Sequence, residues 1–175
     1  MARLADRGIE VYLPAGFEGR IFQRRAPELG QTYPVTQFAT FPLPAEVADF
    51  GGGVPAAMGP TDIFAVLFEY GPESLGTALF ARTTFPRRLR ASDFHPYTLR
   101  RGVGGQSGTQ WFFTEQRRPF TLYVVLGSHA LRSTLVPRVN LLLDQITILP
   151  TVVPVPVPAP APVPDPARDA AAGAA

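Results

Sequence analysis

Cysteine is missing altogether, which removes disulfides, thiolate nucleophiles and thiolate metal sites together. Lysine is missing too: all 16 basic residues are arginine, so no P-loop can be present. A high-GC codon bias accounts for that substitution without any functional demand. With 14 acidic residues, the formal net charge is only +2. The arginine pairs Arg24-Arg25, Arg87-Arg88, Arg100-Arg101 and Arg117-Arg118 therefore read as dispersed, solvated turns, and a nucleic-acid partner is disfavoured.

No run approaches the roughly 18–20 apolar residues of a membrane span. Met1 to Glu10 contains no apolar core of a secretory signal. The expected location is cytoplasmic, with no membrane partner. Histidine is nearly absent, with only His95 and His129. Asp93-x-His95 is too short a spacing to specify a metal, and Asp93 reads as a helix cap; no metal and no cofactor are expected.

Glycine motifs fall short as well. In Gly102-Val103-Gly104-Gly105-Gln106-Ser107-Gly108, Ser107 stands where a dinucleotide-binding fingerprint needs glycine. Gly105-Gln106-Ser107-Gly108-Thr109 approaches a nucleophile elbow but has Thr109 in place of its second glycine. Ser128, beside His129, reads as a loop hydrogen-bonder. No catalytic residue is assigned.

What is present is clearest from Gly108 to Leu149. Thr109–Glu115 and Pro119–Leu126 are apolar on both faces, which predicts covered, central strands. Between them, Gln116-Arg117-Arg118 reads as a turn in water. Leu135, Val136, Val139, Leu142 and Leu143 then form one helical stripe over 135–144, with Ser133 or Thr134 as the expected cap. Pro137 falls in the first turn, where its missing N–H costs little. A last strand follows over 145–149.

Upstream, Ile9, Val11 and Leu13 alternate as in a half-buried strand. Pro14-Ala15-Gly16 turns the chain into a second strand over 19–23, with Phe17 and Ile21 inward. Further strands are expected over 35–41 and 63–70, separated by a Gly- and Pro-rich connection. Residues 73–82 are ambiguous between strand and helical turn, and Ser92-Asp93-Phe94 signals a short helix. From Pro154 to Pro166 proline occupies every second position, so residues 150–175 are expected as a disordered Pro/Ala tail in polyproline II, without a P-x-x-P pair. About 150 residues remain for one folded domain, 1–149.

Leu13-Pro14-Ala15-Gly16-Phe17 after a strand resembles the opening of PsbP/Mog1-like domains. The hairpin, helix and short strand from Trp111 to Ile148 resemble their close. Gly19-Arg20-Ile21-Phe22, Arg118-Pro119-Phe120 and Val124–Ser128 are similar to stretches of small cytosolic proteins of high-GC bacteria. The resemblance implies a largely non-catalytic, partner-binding protein.

The expectation is an α+β fold: an antiparallel sheet of about six strands with a C-terminal amphipathic helix on one face. The expected function is a non-enzymatic cytosolic adaptor for a protein partner, with self-association into a homo-oligomer as an option. The alternative is a small enzyme, or a small-molecule or anion binder, with a pocket near Arg87–His95 and the Gly102–Gly108 loop. Arg87, Arg88, Arg90 and His95 are the candidate binding residues.

Overall fold

The computed structural model describes residues 2–23, 32–45, 53–98 and 103–150. The expected Pro/Ala tail lies outside the described residues beyond Pro150, as do the Arg24-Arg25 and Arg100-Arg101 pairs.

Within the described residues the fold is α+β, with eight strands and one α-helix: β1 (Ala2–Asp6), β2 (Ile9–Leu13), β3 (Glu18–Gln23), β4 (Pro34–Ala39), β5 (Ile63–Glu69), β6 (Ser107–Glu115), β7 (Arg118–Leu126), α1 (Arg132–Leu143) and β8 (Ile146–Ile148). The expected sheet of about six strands is instead two antiparallel sheets. One has the order β1-β2-β8, the other β3-β4-β5-β7-β6. The break falls between β2 and β3, where Pro14–Gly16 carries the chain from one sheet to the other. Gly16 there has φ +78°. β1 escapes a periodicity search because only Leu4 of its five residues is partly buried.

Both-faced burial of β5 and β7 is explained by what covers each side. One face contributes Ile63, Ala65, Leu67, Phe120, Leu122, Val124 and Leu126 to a core shared with β2, α1 and β8. The other contributes Phe64, Val66 and Val125 to a smaller cluster with Val35, Ala39 and Val54. The helical stripe lands as expected: Leu135, Val136, Val139, Leu142 and Leu143 are all buried. Each such side chain stabilises by about 1.5–3 kcal/mol.

The helix cap differs from the expectation. α1 begins one turn earlier, Leu131 occupies the N-cap, and no side chain caps it. Ser133 and Thr134 are exposed inside the helix. The His129 carbonyl instead accepts from the Arg132 backbone N–H at 3.3 Å and from Arg132 Nη1 at 2.8 Å.

The turn at Gln116–Arg118 also needs correction. Gln116 and Arg117 form it, both at positive φ (52° and 59°). Arg118 is the first residue of β7 and is 5% exposed. Its guanidinium is drawn inward by Glu69 and by three backbone carbonyls of the small sheet.

Candidate functional site

Two consecutive residues at positive φ make a mirror-image hairpin turn, whose twist matches that of the flanking strands. Glu115 therefore pairs directly with Arg118, and the register runs back to Ser107 opposite Leu126. In an antiparallel ladder closed this way, the odd-numbered residues of β6 exchange hydrogen bonds with β7. The even-numbered ones point their N–H and C=O out of the sheet edge.

Both ends of that edge confirm the phase. Gly108 exchanges two backbone bonds with His95, each 3.0 Å, and Thr114 donates to the Arg82 carbonyl at 2.7 Å. Thr114 Oγ1 adds a bond to the Phe80 carbonyl at 2.9 Å.

Between these two plugs the edge is open. The outward backbone groups of Gln110 and Phe112 have no partner among the described residues. The slot from Gly108 to Thr114 is about 20 Å long. Single 3-10 turns at Ala78–Phe80 and Pro96–Thr98 pack against β6, one next to each plug. Each presents a large apolar side chain to solvent: Leu79 is 56% exposed and Tyr97 97%.

The slot is rigidly backed. Phe112 meets the Phe80 ring edge-on at 5.7 Å, and Phe80 meets Tyr70 at 5.1 Å. Burial raises the Tyr70 phenol above its ordinary pKa. On the other face of β6, the Arg82 guanidinium lies 4.6 Å over the Trp111 ring.

The candidate residues from the sequence divide between two places. Arg87 donates to the Ile146 carbonyl at 3.2 Å and lies 5.4 Å over the Phe85 ring. Arg88 pairs with Asp144 at 3.0 Å. At the next residue, Asn140 clasps Leu89, accepting from its N–H at 2.9 Å and donating to its carbonyl at 3.0 Å. Arg87 and Arg88 thus fasten the 82–98 segment to α1 and β8. Arg90 has an exposed side chain, and its backbone N–H donates to the Asp93 carboxylate at 2.7 Å. His95 sits apart from the arginine clasp, on the β6 edge, with its ring exposed.

The glycine loop meets the β7–α1 loop. The His129 N–H donates to the Gly105 carbonyl at 2.6 Å, and Gln106 Nε2 donates to the Pro55 carbonyl at 2.6 Å. Gly127 approaches the Gly59 carbonyl too closely for any side chain at that position. Gln106 Oε1, Ser107 Oγ and His129 Nδ1 are buried without a hydrogen-bond partner. Ser107 and His129 are therefore not joined as nucleophile and base. Among the described residues, no group of three or more His, Asp or Glu side chains is placed to hold a metal ion.

The β6 edge was not visible to sequence reasoning. Its one local signal is Tyr97, a lone tyrosine beside Pro96 in a polar segment. Compared with known proteins, the chain matches no family model, no curated protein and no solved structure.

Proposed function

We propose that this protein is a non-enzymatic binding module that takes up an extended segment of a protein partner along the β6 slot. The observation that carries the reading is the open stretch at Gln110–Phe112, with a turn carrying exposed Tyr97 or Leu79 next to each plug. Strand addition draws its affinity from main-chain hydrogen bonds and its selectivity from flanking side-chain contacts. Tyrosine anchors such contacts well, because it offers a large apolar face and a polar tip at low entropic cost.

The plugs at His95 and Arg82 limit the occupant to about five residues in the plane of the sheet. A second copy of β6, nine residues long, does not fit, so self-association would use another surface. The resemblance to PsbP/Mog1-like domains leans the same way, since that group mainly binds partners. A cytoplasmic adaptor role belongs to the same proposal. No helix among the described residues is long and apolar enough to cross a membrane.

A second reading, a small polar ligand near the glycine loop, is favoured by the three unpartnered polar atoms of Gln106, Ser107 and His129. The two separate in one experiment. Selection of peptides from a random library on the full chain is repeated with Gln110→Pro, which removes an outward N–H at a position where an edge strand tolerates proline. The edge reading expects enriched, extended peptides whose binding is lost in that variant. Enrichment indifferent to Gln110→Pro overturns it.

A further inference from the structure

β1 leaves an open edge on the small sheet. Its turn to β2 has two residues, Arg7 and Gly8, both at positive φ (50° and 72°). Asp6 and Ile9 therefore close the hairpin as a hydrogen-bonded pair. Ala2, Leu4 and Asp6 bond to β2, and the N–H and C=O groups of Arg3 and Ala5 point away from it. Those outward groups have no partner among the described residues. The opposite edge of the sheet is better guarded: β8 is three residues long, and its Ile146 carbonyl accepts from Arg87 at 3.2 Å.

The β1 sequence fits a second copy of itself. Two identical edges meet antiparallel about a two-fold axis, and charge decides the register. Centred on Arg3, the pairing sets Arg3 opposite Arg3; centred on Ala5, it sets Arg3 opposite Arg7. Like charges directly opposite destabilise a sheet. Centred on Leu4, Arg3 faces Ala5 of the second copy, and both such pairs exchange backbone bonds. Ala5 lies beside Glu10 of its own molecule, so Arg3 reaches across one methyl group to a carboxylate. Two strand spacings are about 10 Å, within the combined reach of the two side chains. Glu10 already holds its own Arg3 at 2.9 Å, with both side chains partly exposed, so the pairing builds a neutral cluster. On the inner face, half-buried Leu4 meets its counterpart at the axis. Ala2 and Asp6 flank Leu4 on that face and are exposed, so the large sheet beneath leaves the edge clear.

We infer that two copies of this chain join through β1 in the Leu4-centred register, merging their three-stranded sheets into one. The same edge is used on both molecules, so assembly closes at the dimer. β6 takes no part, and the inference stands whether or not its slot accepts a peptide. An edge of five residues makes an interface below the standard size, which suits a reversible dimer.

The test is sedimentation equilibrium of the full chain from about 10 μM to about 1 mM, the range of a weak interface. A reversible monomer–dimer equilibrium is expected. Ala5→Pro removes an outward N–H that β2 does not use. By symmetry the loss enters twice, so the dimer should weaken about tenfold or more. Ala5→Arg sets arginine opposite Arg3 and should also weaken it. Adding Arg3→Glu to Ala5→Arg restores opposite charges across the axis and should recover most of that loss. Thermal unfolding of each variant establishes that it is folded; should Ala5→Pro not fold, the arginine and charge-reversal variants carry the test. A parent chain still monomeric at the highest concentration overturns the inference. So does a dimer indifferent to the Ala5 substitutions, which would place the contact elsewhere, or one that Arg3→Glu fails to restore.

Discussion

Arg118 Nη2 lies 2.7 Å from Glu69 Oε2, and Arg118 Nε lies 2.9 Å from Glu69 Oε1, with both side chains almost fully buried. The remaining guanidinium hydrogens reach the carbonyls of Arg7 at 2.9 Å, Gly8 at 3.0 Å and Leu149 at 2.9 Å. Arginine has five N–H donors, and here each has an acceptor. One side chain of the large sheet thereby holds the β1–β2 turn and the end of β8. Truncating one member of a buried pair leaves the other charged and unpaired, which costs about 3–5 kcal/mol. Arg118→Met is expected to lower stability by that order in urea denaturation. Arg118→Lys should recover only part of it, because an ammonium cannot span both the carboxylate fork and three carbonyls.

Gly8 tests the same junction from the other side. Its φ is +72°, and a Cβ there would sit 2.8 Å from Arg118 Nη1. Gly76 has a similar φ of +77° but open space around it. Alanine at Gly76 is expected to cost about 1–2 kcal/mol, the left-handed penalty alone. Gly8→Ala should cost more, since the guanidinium must also shift. Equal losses in thermal unfolding would show that Arg118 accommodates the methyl group freely.

These two residues also mark the limit of what the sequence discloses. The α1 stripe and the β6–β7 hairpin are local: their periods of 3.6 and 2 are written within a dozen residues. Arg118 reads as a solvated turn residue because its partners are distant, Glu69 by 49 positions and Gly8 by 110. The open edge is hidden for the same reason. β6 looks as apolar as a central strand, and only the order β5-β7-β6 places it last. Arg87 and Arg88 look like an anion site in sequence, and their acceptors at Ile146 and Asp144 emerge only when the segment folds back onto α1.

Asn140 should therefore matter more than the arginines beside it. Asn140→Leu removes both bonds to Leu89 and leaves its N–H and carbonyl without partners, a loss of about 1–3 kcal/mol. Arg88→Ala removes a largely exposed ion pair and is expected to cost under about 1 kcal/mol. Limited proteolysis should cut Asn140→Leu within residues 82–98 well before the parent chain, and leave Arg88→Ala close to parent.

Three tyrosines give stability an alkaline limit. Burial raises the phenol pKa of Tyr70 and Tyr123, and that of Tyr33 together with the nearby Glu73 and Glu69 carboxylates. Above the ordinary tyrosine value of about 10, the unfolded chain has released protons that the folded one still binds, so stability falls as pH rises. Below that range these groups contribute no pH dependence. Denaturation midpoints for the parent chain should decline above pH of about 10, and Tyr70→Phe with Tyr123→Phe should flatten the decline. An unchanged slope in the double variant would assign it to other groups.

The docking reading makes its sharpest demand on Tyr97. The side chain is 97% exposed and stands on a single 3-10 turn beside β6, so the folded state gains almost nothing from it. Tyr97→Ala is expected to change stability by no more than about 0.5 kcal/mol, as surface substitutions usually do. If the ring closes over a segment in the slot, the same change should weaken binding of a library-selected peptide by about 30-fold, the scale of a hot-spot residue at 2 kcal/mol. Leu79→Ala probes the turn at the other plug, and losses that add in the pair would show that the two side chains act independently. Isothermal titration of the parent, both single variants and the pair measures all three quantities. Undiminished affinity in the Tyr97 variant would move the contact surface away from the 96–98 turn and leave only the backbone edge to account for binding.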